Sequence, residues 1–596
     1  MTSDRRALEG TAHDWLHHHL RSRPDASAVA VWRHGAVRAA LDFADLSALV
    51  DRAASALPRY APDPGDRVVL ALPNDACFTA ALLACLAAGL IAVPAPPLTA
   101  SPTPAVLARL RGIVADCRPA LVIGCGGQDG NAWASGPIAG VRHVVAWDDL
   151  VTSADGPLRR RRRPTGGEIA LLQYTSGSTG TPKGAVITHR AIRASCAQAA
   201  RAYRESAQDT AVTWVPLHHD MGLVTGVLRP LFSGYASVLL SPQDFARAPL
   251  SWLQALTAVR GTLSSAPDFA YRLCVRRVPA AQLPRLDLSS WRVARNAGEV
   301  VRADTADRFT EHFRPVGFRS GGFCPSYGMA EATLTVTTST PEDPPLRLVV
   351  DHDALQADRV VPVTDPAEPG RRTSVLLSSG RPLPGTEVAI GGPGGRTERP
   401  QDAVGPVWIS GPQLFSGYWH SSGPDGSSGP NGGPVDGGPV DGSPVGGAPV
   451  DGGPVDGWHA TGDLGFVHQG RLFVLGRGDD TVIQNGRNVH ASDVRAVCAG
   501  IPGLRPGRCV AFTTGGAGSP ASEPARVCVV AEVDTATPRP PAELTADVRR
   551  QLVDQLELYV HHVELVPRGD LPVTTSGKPV VAGARARFES RTPGAQ

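Results

Sequence analysis

The stretch LLQYTSGSTGTPKGAVITHR, residues 171–190, decides how the rest of the chain is interpreted. The segment IALLQY before its centre predicts a strand, and AVITHRAIRASCAQAA after it predicts a short strand followed by a helix. Between these elements, hydroxyl groups, glycine N–H groups and one lysine form the combination that binds phosphate. The residues concerned are Thr175, Ser176, Gly177, Ser178, Thr179, Gly180, Thr181 and Lys183. The sequence therefore predicts a loop at a strand end that closes over a polyphosphate.

A P-loop of the Walker type is excluded at this position. That motif places its lysine directly after a glycine, whereas Lys183 follows Pro182. The phosphate chemistry of the loop does not depend on the Walker pattern.

Composition limits the classes of protein that need to be considered. A chain of 596 residues is too long for one core, so we expect at least two domains. The net charge of +2 gives no overall field that would attract nucleic acid. The ten cysteines include no C-x-x-C pair, which predicts reduced thiols in a cytoplasmic protein. The N-terminal stretch MTSDRRALEGTAHDWLHHHL has charges where a secretory signal has an apolar core, so we expect no export.

One uncharged segment, residues 76–108, is long enough to suggest a membrane span. It is rich in alanine, contains Gly89 and then meets Pro94, Pro96 and Pro97. We predict a buried helix, a turn and a buried strand, and therefore no integral membrane segment.

The remaining pattern is that of an α/β protein. Strand-like runs such as RVVLALP (67–73) and GPVWIS (405–410) alternate with alanine-rich helical stretches, which predicts layered sheets covered by helices. The GGPVDG-like repeat at 423–457 offers little to bury and is predicted to be a disordered surface loop. The five arginines at 159–163 predict a solvated linker or, alternatively, a docking site for an acidic partner.

Five motifs, in one order, resemble those of the acyl-adenylate-forming superfamily. YTSGSTGTPKG (174–184) is similar to its phosphate-binding signature and SYGMAE (326–331) to its adenine and magnesium motif. HATGDLGF (459–466) resembles the ribose motif, GRGDD (476–480) the hinge and TTSGKP (574–579) the C-terminal lysine motif. The resemblance implies a large N-terminal multi-sheet α/β domain at 1–475 and a small mobile α+β domain at 476–596, which rotates about Asp479.

The resemblance also implies a site for ATP and Mg²⁺. The loop would hold the β- and γ-phosphates that leave as pyrophosphate, Glu331 would bind Mg²⁺, and Lys578 would bridge the substrate carboxylate and the α-phosphate. Asp463 is expected to accept hydrogen bonds from the ribose, with Arg477 nearby. Charges that converge in this way fit a phosphoryl-transfer step, in which positioning and electrostatic stabilisation dominate catalysis. The residues implied around the adenine are Ala297, Gly298, Glu299, Ser326, Tyr327, Gly328 and Met329.

Three further stretches are similar to the fatty acyl-AMP ligases within that superfamily. They are WVPLHHDMGLVTG (214–226), SPQDFARAPLSWL (241–253) and SSAPDFAYRLC (264–274). The similarity implies activation of a long-chain fatty acid for polyketide, nonribosomal peptide or lipid assembly, with His219 beside the acyl carboxylate. A core or capping histidine is the alternative for His219.

The segment 346–375 resembles an insertion that separates these ligases from acyl-CoA synthetases. It implies that the C-terminal domain is restrained, and that the acyl group passes to the phosphopantetheine thiol of an acyl carrier protein.

The chain also departs from the pattern of the family. His490 and Ala491 stand where an aromatic residue and a proline are usual, Arg495 replaces a glutamate, and Pro579 follows Lys578. Because proline fixes its own φ angle, we expect Pro579 to alter the orientation of the segment that carries Lys578. Three alternatives stay open: an acyl-CoA synthetase, a non-catalytic relative that binds acyl groups or a carrier protein, and a ligase of amino or aryl acids.

Overall fold

The structure is a computed structural model that describes residues 9–99, 102–125, 141–153, 164–175, 182–365, 371–391, 403–419, 450–478, 480–484, 487–514, 526–573 and 579–591. Its strands are β1 (Ser27–Arg33), β2 (Ala36–Asp42), β3 (Arg67–Ala71), β4 (Ile91–Pro94), β5 (Leu121–Gly124), β6 (His143–Ala146), β7 (Ile169–Thr175), β8 (Lys183–Thr188), β9 (Thr210–Thr213), β10 (Ala236–Leu240), β11 (Leu263–Ala266), β12 (Val293–Asn296), β13 (Phe323–Gly328), β14 (Thr335–Thr338), β15 (Arg347–Asp351), β16 (Thr373–Leu377), β17 (Arg381–Pro382), β18 (Glu387–Ile390), β19 (Gly405–Ser410), β20 (Tyr418–Trp419), β21 (Val450–Asp451), β22 (Trp458–His468), β23 (Arg471–Arg477), β24 (Thr481–Gln484), β25 (Arg487–His490), β26 (Leu504–Thr514), β27 (Arg526–Val533) and β28 (His562–Val566).

Helices connect most of these strands. They are α1 (Ala12–Ser22), α2 (Phe43–Ala56), α3 (Ala76–Ala87), α4 (Pro104–Cys117), α5 (Trp147–Thr152), α6 (His189–Ala202), α7 (Asp220–Leu223), α8 (Arg229–Ser233), α9 (Pro242–Arg247), α10 (Leu250–Ala258), α11 (Asp268–Arg277), α12 (Ala303–Phe313), α13 (His352–Gln356), α14 (Ala491–Ala499), α15 (Pro541–Leu556) and α16 (Val581–Arg591).

Two large sheets carry the region before Gly476. The first has nine strands in the order β17-β14-β13-β12-β11-β9-β10-β1-β2, and the second has eight in the order β21-β20-β8-β7-β4-β3-β5-β6. Their central strands pair in parallel and are buried, as expected for sheets with helices on their faces. The predicted α/β class is therefore confirmed.

The uncharged segment folds as its sequence predicts. Helix α3 begins where Asp75 accepts a 2.7 Å hydrogen bond from the Ala76 N–H, and the chain turns at Gly89, whose φ of +72° suits glycine. Strand β4 then joins the centre of the eight-stranded sheet. In the described ranges, none of the helices has both the length and the apolar character needed to cross a membrane.

The region after Gly476 has sheets and cores of its own. Strands β24 and β25 form a hairpin, and β26, β27 and β28 form a sheet on which α14, α15 and α16 pack. Apolar residues from Val482 to Val560 form one core, and residues from Val510 to Phe588 form another. Strand β23 ends at Arg477. Separate cores support the proposal of a C-terminal domain that begins at about Gly476.

The repeat at 423–457 is not disordered throughout. Strand β21 lies inside it and pairs with β20 through Tyr418 and Asp451, and Val455 bridges to Trp458. The prediction of disorder is therefore wrong for 450–457, because these residues add a strand to the edge of the eight-stranded sheet. Residues 420–449 and the arginines at 159–163 lie outside the described residues.

All ten cysteines are free thiols, as the sequence predicts.

Candidate active site

One cleft of about 1330 Å³ is lined by residues from both sides of Gly476. The carboxyl ends of β12 and β13, the β7–β8 hairpin and β22 with β23 supply the N-terminal walls. The predicted site residues that line it are Thr175, Lys183, His219, Ala297, Gly298, Glu299, Ser326, Tyr327, Gly328, Met329, Glu331, Asp463 and Arg477.

The other predicted residues lie outside the described residues: Ser176, Gly177, Ser178, Thr179, Gly180, Asp479 and Lys578. The segments that flank them are described. Thr175 pairs with Lys183 across the β7–β8 hairpin, and both line the cleft. Pro579, next to Lys578, bridges to Val573 and also lines the cleft. The ends of both motifs therefore meet at the same place.

Glu331 lies on a 3₁₀ turn, Ala330–Ala332, that directly follows β13. The hydroxyl of Tyr418 donates a 2.6 Å hydrogen bond to Oε1 of Glu331. Loss of hydration raises the pKa of Glu331, and the Tyr418 hydrogen bond opposes this rise. A nearby cation would therefore stabilise the carboxylate. The ammonium group of Lys183 lies 5.4 Å from the centre of the Tyr418 ring, so one side chain contacts both charged residues.

Glu331 fits the demands of Mg²⁺ bound together with phosphate. Magnesium is often held by one or two carboxylates, substrate phosphates and water. The described residues contain no group of three or more His, Cys, Asp or Glu side chains that could hold a metal by themselves. A single carboxylate in a cleft suits a cation that arrives with the nucleotide.

Gly328 is required by the turn that places Glu331. A Cβ atom at this position would lie 1.7 Å from the carbonyl oxygen of Leu334. The same oxygen accepts a 2.8 Å hydrogen bond from the N–H of Met329. The backbone therefore approaches too closely for any side chain at Gly328.

The ribose motif is built on paired strands. Asp463 on β22 lies opposite Arg477 on β23, and the Asp463 N–H donates to the Thr461 hydroxyl at 3.1 Å. Oδ2 of Asp463 accepts a 2.5 Å hydrogen bond from the hydroxyl of Tyr327. Nε of Arg477 lies 3.9 Å from Oδ1 of Asp463. The carboxylate is thus oriented from two sides at the edge of the cleft.

The stretch Ala297–Glu299 follows β12 and turns at Gly298, whose φ is +83°. Oε2 of Glu299 accepts a 3.0 Å hydrogen bond from the N–H of Phe269, in the first turn of α11. This carboxylate therefore helps to fix the wall of the cleft.

His219 both caps a helix and lines the cleft. It is the N-cap residue of α7, and its Nδ1 lies 2.5 Å from Oδ1 of Asp220. The neighbouring His218 is partly buried, and loss of hydration lowers its pKa to about 3. His219 is therefore a helix-capping residue that also lines the cleft, so the capping alternative and the predicted position in the cleft are compatible.

An aromatic wall adjoins His219. The rings of Trp214 and Phe245 stack with centres 3.7 Å apart, and Phe269 meets Trp214 edge-on at 6.1 Å. Met221 and Leu273 line the same cleft. This surface is apolar enough to receive an acyl chain.

The segment 346–375 forms a hairpin of β15 and β16 with α13 between the strands. It contacts the C-terminal region at two points. Asn488 donates a 3.0 Å hydrogen bond to Asp358, and Arg372 lies 2.8 Å from Glu557. Arg302 makes a third link to that region, because it donates to the Ser492 carbonyl at 2.6 Å and lies 3.0 Å from Asp493.

Several of these residues were missed by the sequence reasoning. Tyr418 precedes the repeat and Arg302 follows a motif, and neither has a local signal. The two lysines, in contrast, were identified from their motifs, and their scarcity in the chain is a further indication of function. Of 58 lysines and arginines, only Lys183 and Lys578 are lysines. Two motif positions thus carry a compact ammonium group, whereas the other basic positions, histidine aside, carry the larger guanidinium group of arginine.

Comparison with known proteins identifies the family of the chain. Residues 16–419 match the family model described as AMP-binding enzyme. The chain is 32% identical to the medium-chain-fatty-acid–[acyl-carrier-protein] ligase JamA of Moorena producens, over 88% of this chain and 86% of that protein. It is also 32% identical to the long-chain-fatty-acid–AMP ligase FadD26 of Mycobacterium marinum, over 88% of each.

A solved structure from work on fatty acyl-adenylate ligases of E. coli and L. pneumophila superposes with a TM-score of 0.83, at 30% identity and with 98% of each chain covered. The motifs, the fold and the relatives agree. The chain therefore belongs to the AMP-binding enzyme family, and relatives that it resembles over most of its length include fatty-acid ligases such as JamA and FadD26.

Proposed function

We propose that the protein activates a fatty acid with ATP, forms the acyl-adenylate with release of pyrophosphate, and passes the acyl group to the phosphopantetheine thiol of an acyl carrier protein. The observation that carries this proposal is the convergence of Lys183, Glu331, Asp463 and Arg477 on one cleft beside an aromatic wall. Such a cleft can hold a nucleotide and an acid together.

In the first step a carboxylate oxygen attacks the α-phosphorus, and the bond from that phosphorus to the bridging oxygen breaks. Two anions must meet, so positive groups are needed around the phosphates. Lys183 lies at the start of β8, shortly after the glycine-rich and hydroxyl-rich part of the motif in the sequence. Lys578 is the proposed partner of the acid and the α-phosphate. Mg²⁺ held by Glu331 would neutralise charge on the phosphates.

The nucleoside is oriented by the ribose motif. Asp463 accepts hydrogen bonds from the ribose hydroxyls, and Tyr327 fixes the direction of that carboxylate by donating to its other oxygen. Arg477 partly neutralises Asp463. The groups that orient Asp463 belong to the protein itself, which lowers the cost of ordering this carboxylate around the nucleotide.

Two observations favour a carrier protein as acceptor. The 346–375 hairpin contacts the C-terminal region, which supports a restrained domain. Arginines from both regions also line the cleft, as a phosphate-bearing arm on an acidic protein requires: Arg276, Arg277, Arg505, Arg508, Arg568 and Arg585. The relative JamA is named for transfer to an acyl carrier protein.

The test measures acid-dependent release of pyrophosphate and then acyl transfer. Fatty acids of graded length are offered with ATP and Mg²⁺, and aliquots receive free CoA or a phosphopantetheinylated carrier protein. The proposal expects adenylate formation followed by acylation of the carrier alone. Efficient formation of acyl-CoA would favour a synthetase, and no adenylate with any acid would favour a binding protein.

Glu331→Gln probes the metal separately. It keeps a group that accepts from Tyr418 but removes the charge, so we expect the Mg²⁺ concentration for half-maximal rate to rise on the order of tenfold. The exposed pair partner Glu342, substituted as Glu342→Gln, is the matched control. An unchanged Mg²⁺ requirement would remove Glu331 from the metal site.

A further inference from the structure

A buried arginine lies in the interior of the nine-stranded sheet, where Tyr203 is its hydrogen-bonding neighbour. Arg295, on β12, is 1% exposed. None of its Nε, Nη1 and Nη2 atoms makes a hydrogen bond of ordinary distance and angle with a described residue. The residue nevertheless lines the cleft that holds the proposed nucleotide site. A guanidinium group that is removed from water and left unpaired is strongly destabilising, so its retention requires a reason.

The nearby Arg229, which is also buried, does have partners for its charge. It is 4% exposed, forms an ion pair with Glu205 and lies 4.8 Å from the centre of the Tyr203 ring. Within the described part of the chain, no carboxylate lies at ion-pair distance from Arg295. Tyr203 favours the charge of Arg295 through a side-chain hydrogen bond and Asp220 favours it from farther away, while Arg229 opposes it. The positive charge of Arg295 is therefore not neutralised by contact.

Arg295 separates the cleft from a small polar cavity. Side chains that also line this cavity are Thr213, Thr225, Arg229, Tyr235, Ser264 and Ser265. Its volume of about 10 Å³ corresponds to a single water molecule at most. A guanidinium group has five N–H donors, and one water accepts two hydrogen bonds at most. Most of the donors of Arg295 can therefore be satisfied only from the cleft.

The register of the strands places Arg295 near the reacting groups. Arg295 pairs with Cys324 of β13, and Ser326 lies two residues farther on, on the same face of that strand. Ser326 belongs to the adenine motif, lines the cleft and lies 3.1 Å from the Tyr203 hydroxyl. Arg295 thus lies on the strand next to the adenine motif and lines the same cleft as the aromatic wall, along which the acyl chain would run.

We propose that Arg295 donates hydrogen bonds to an oxygen carried by the acyl chain of the substrate, so that the protein selects acids bearing a second carboxylate, a keto group or a hydroxyl group over plain alkanoic acids. This proposal rests on the proposed function and narrows its substrate class. A plain alkyl chain would leave the donors of Arg295 unpaired in the closed complex, and sites built to donate to a polar group discriminate strongly against analogues that lack it.

The test compares acids of equal carbon number in the full-length protein. Plain monocarboxylic, α,ω-dicarboxylic, keto and hydroxy acids are assayed for kcat/KM of pyrophosphate release in wild type, Arg295→Met and Arg295→Lys. Arg285→Met, on an exposed residue, is the control. We expect one of the oxygen-bearing classes to exceed its plain counterpart on the order of tenfold or more in wild type. Arg295→Met should abolish this preference, and Arg295→Lys should keep part of it.

Two results would overturn the proposal while leaving the proposed function intact. Wild type could activate plain acids as well as every oxygen-bearing class, a result that does not depend on any variant being folded. Alternatively, Arg295→Met could lower kcat/KM equally for all acids, which would assign Arg295 to the reacting carboxylate. If wild type activates no acid at all, the proposed function fails and this proposal fails with it.

Discussion

The hydroxyl of Tyr327 donates a 2.5 Å hydrogen bond to Oδ2 of Asp463, although the two residues are 136 positions apart in the chain. Tyr327 lies on the strand that carries the adenine motif, and Asp463 lies on the strand that carries the ribose motif. Burial and the adjacent carboxylate raise the pKa of Tyr327, so it stays a donor. One hydrogen bond therefore couples the two halves of the proposed nucleoside site.

The variant Tyr327→Phe removes this donor and keeps the ring. We expect KM for ATP to rise roughly fivefold or more, because a hydrogen bond to a charged group contributes about 1.5–3 kcal/mol and only part of it bears on ligand binding. KM for the acid should stay unchanged. Initial rates at varied ATP and varied acid separate the two effects, and Tyr559→Phe, on an exposed tyrosine, is the control. Equal changes in both KM values would contradict a role confined to the nucleoside.

The repeat allows two deletions with different outcomes. Replacing 423–449 with a short Gly/Ser linker should leave adenylation unchanged. Replacing 423–457 also removes β21, which pairs with Tyr418. Because Tyr418 donates to Glu331 and contacts Lys183, we expect the longer deletion to lower kcat on the order of tenfold. Equal rates for the two variants in a pyrophosphate assay would show that β21 has no part in positioning Tyr418.

If the contacts of the 346–375 hairpin restrain the C-terminal region, removing them should allow free CoA to accept the acyl group. The double variant Asp358→Gly, Arg372→Ser removes both of its links to Asn488 and Glu557. Glycine suits the positive φ of 57° at Asp358. Two such contacts contribute about 1–2 kcal/mol, so we expect formation of acyl-CoA to rise roughly fivefold or more with adenylation unchanged.

Arg347→Ser is the matched control for that experiment. Arg347 lies in the same hairpin, but its partner Asp307 belongs to α12 in the N-terminal region. Lower adenylation in the double variant, with no gain in acyl-CoA, would mean that the hairpin supports the site itself and does not restrain the C-terminal region.

Buried histidines predict a loss of stability in acid. Burial lowers the pKa of His19, His189 and His459 from 6.5 to about 4, and that of His218 to about 3. The unfolded chain therefore binds more protons than the folded chain below pH 6.5. Their contribution to stability is complete above that pH and is lost as the pH falls towards the folded-state values.

Chemical denaturation between about pH 7 and about pH 5 measures this effect. For His19 alone, the free energy of unfolding should fall by roughly 2 kcal/mol over this range. His19→Gln keeps a donor for the Leu231 carbonyl, which lies 2.9 Å from Nε2, and should flatten the dependence. His143→Gln, on an exposed histidine, should not. A pH dependence that is the same in all three proteins would assign the acid sensitivity to other groups.

Sequence reasoning identified the fold class, and the contiguous motifs led to most of the site. Residues such as Glu331 and Asp463 were predicted because the motifs that contain them resemble those of the superfamily and follow one another in the same order. The order of α3, Gly89 and β4 was also predictable, since apolar runs interrupted by glycine and proline have few alternatives.

Other features depend on tertiary pairing and have no local signal. Tyr418 is next to a repeat of low complexity. Its importance comes from its hydrogen bond to Glu331, which belongs to another motif. The strand β21 forms only because an edge of the eight-stranded sheet is available to Val450 and Asp451. Arg295 reads as one more arginine among many, and its significance appears only when its burial is known.

The most direct test of the account uses the scarcity of lysine. Acid-dependent pyrophosphate release is measured for wild type, Lys578→Arg and Lys578→Ala, with Arg587→Lys as a control on the same C-terminal region. We predict release by wild type and by the control, and a loss on the order of a hundredfold or more in both Lys578 variants, because a guanidinium group cannot replace the compact ammonium group. An undiminished rate in Lys578→Ala, or no release by wild type with any acid, would contradict adenylation at this site.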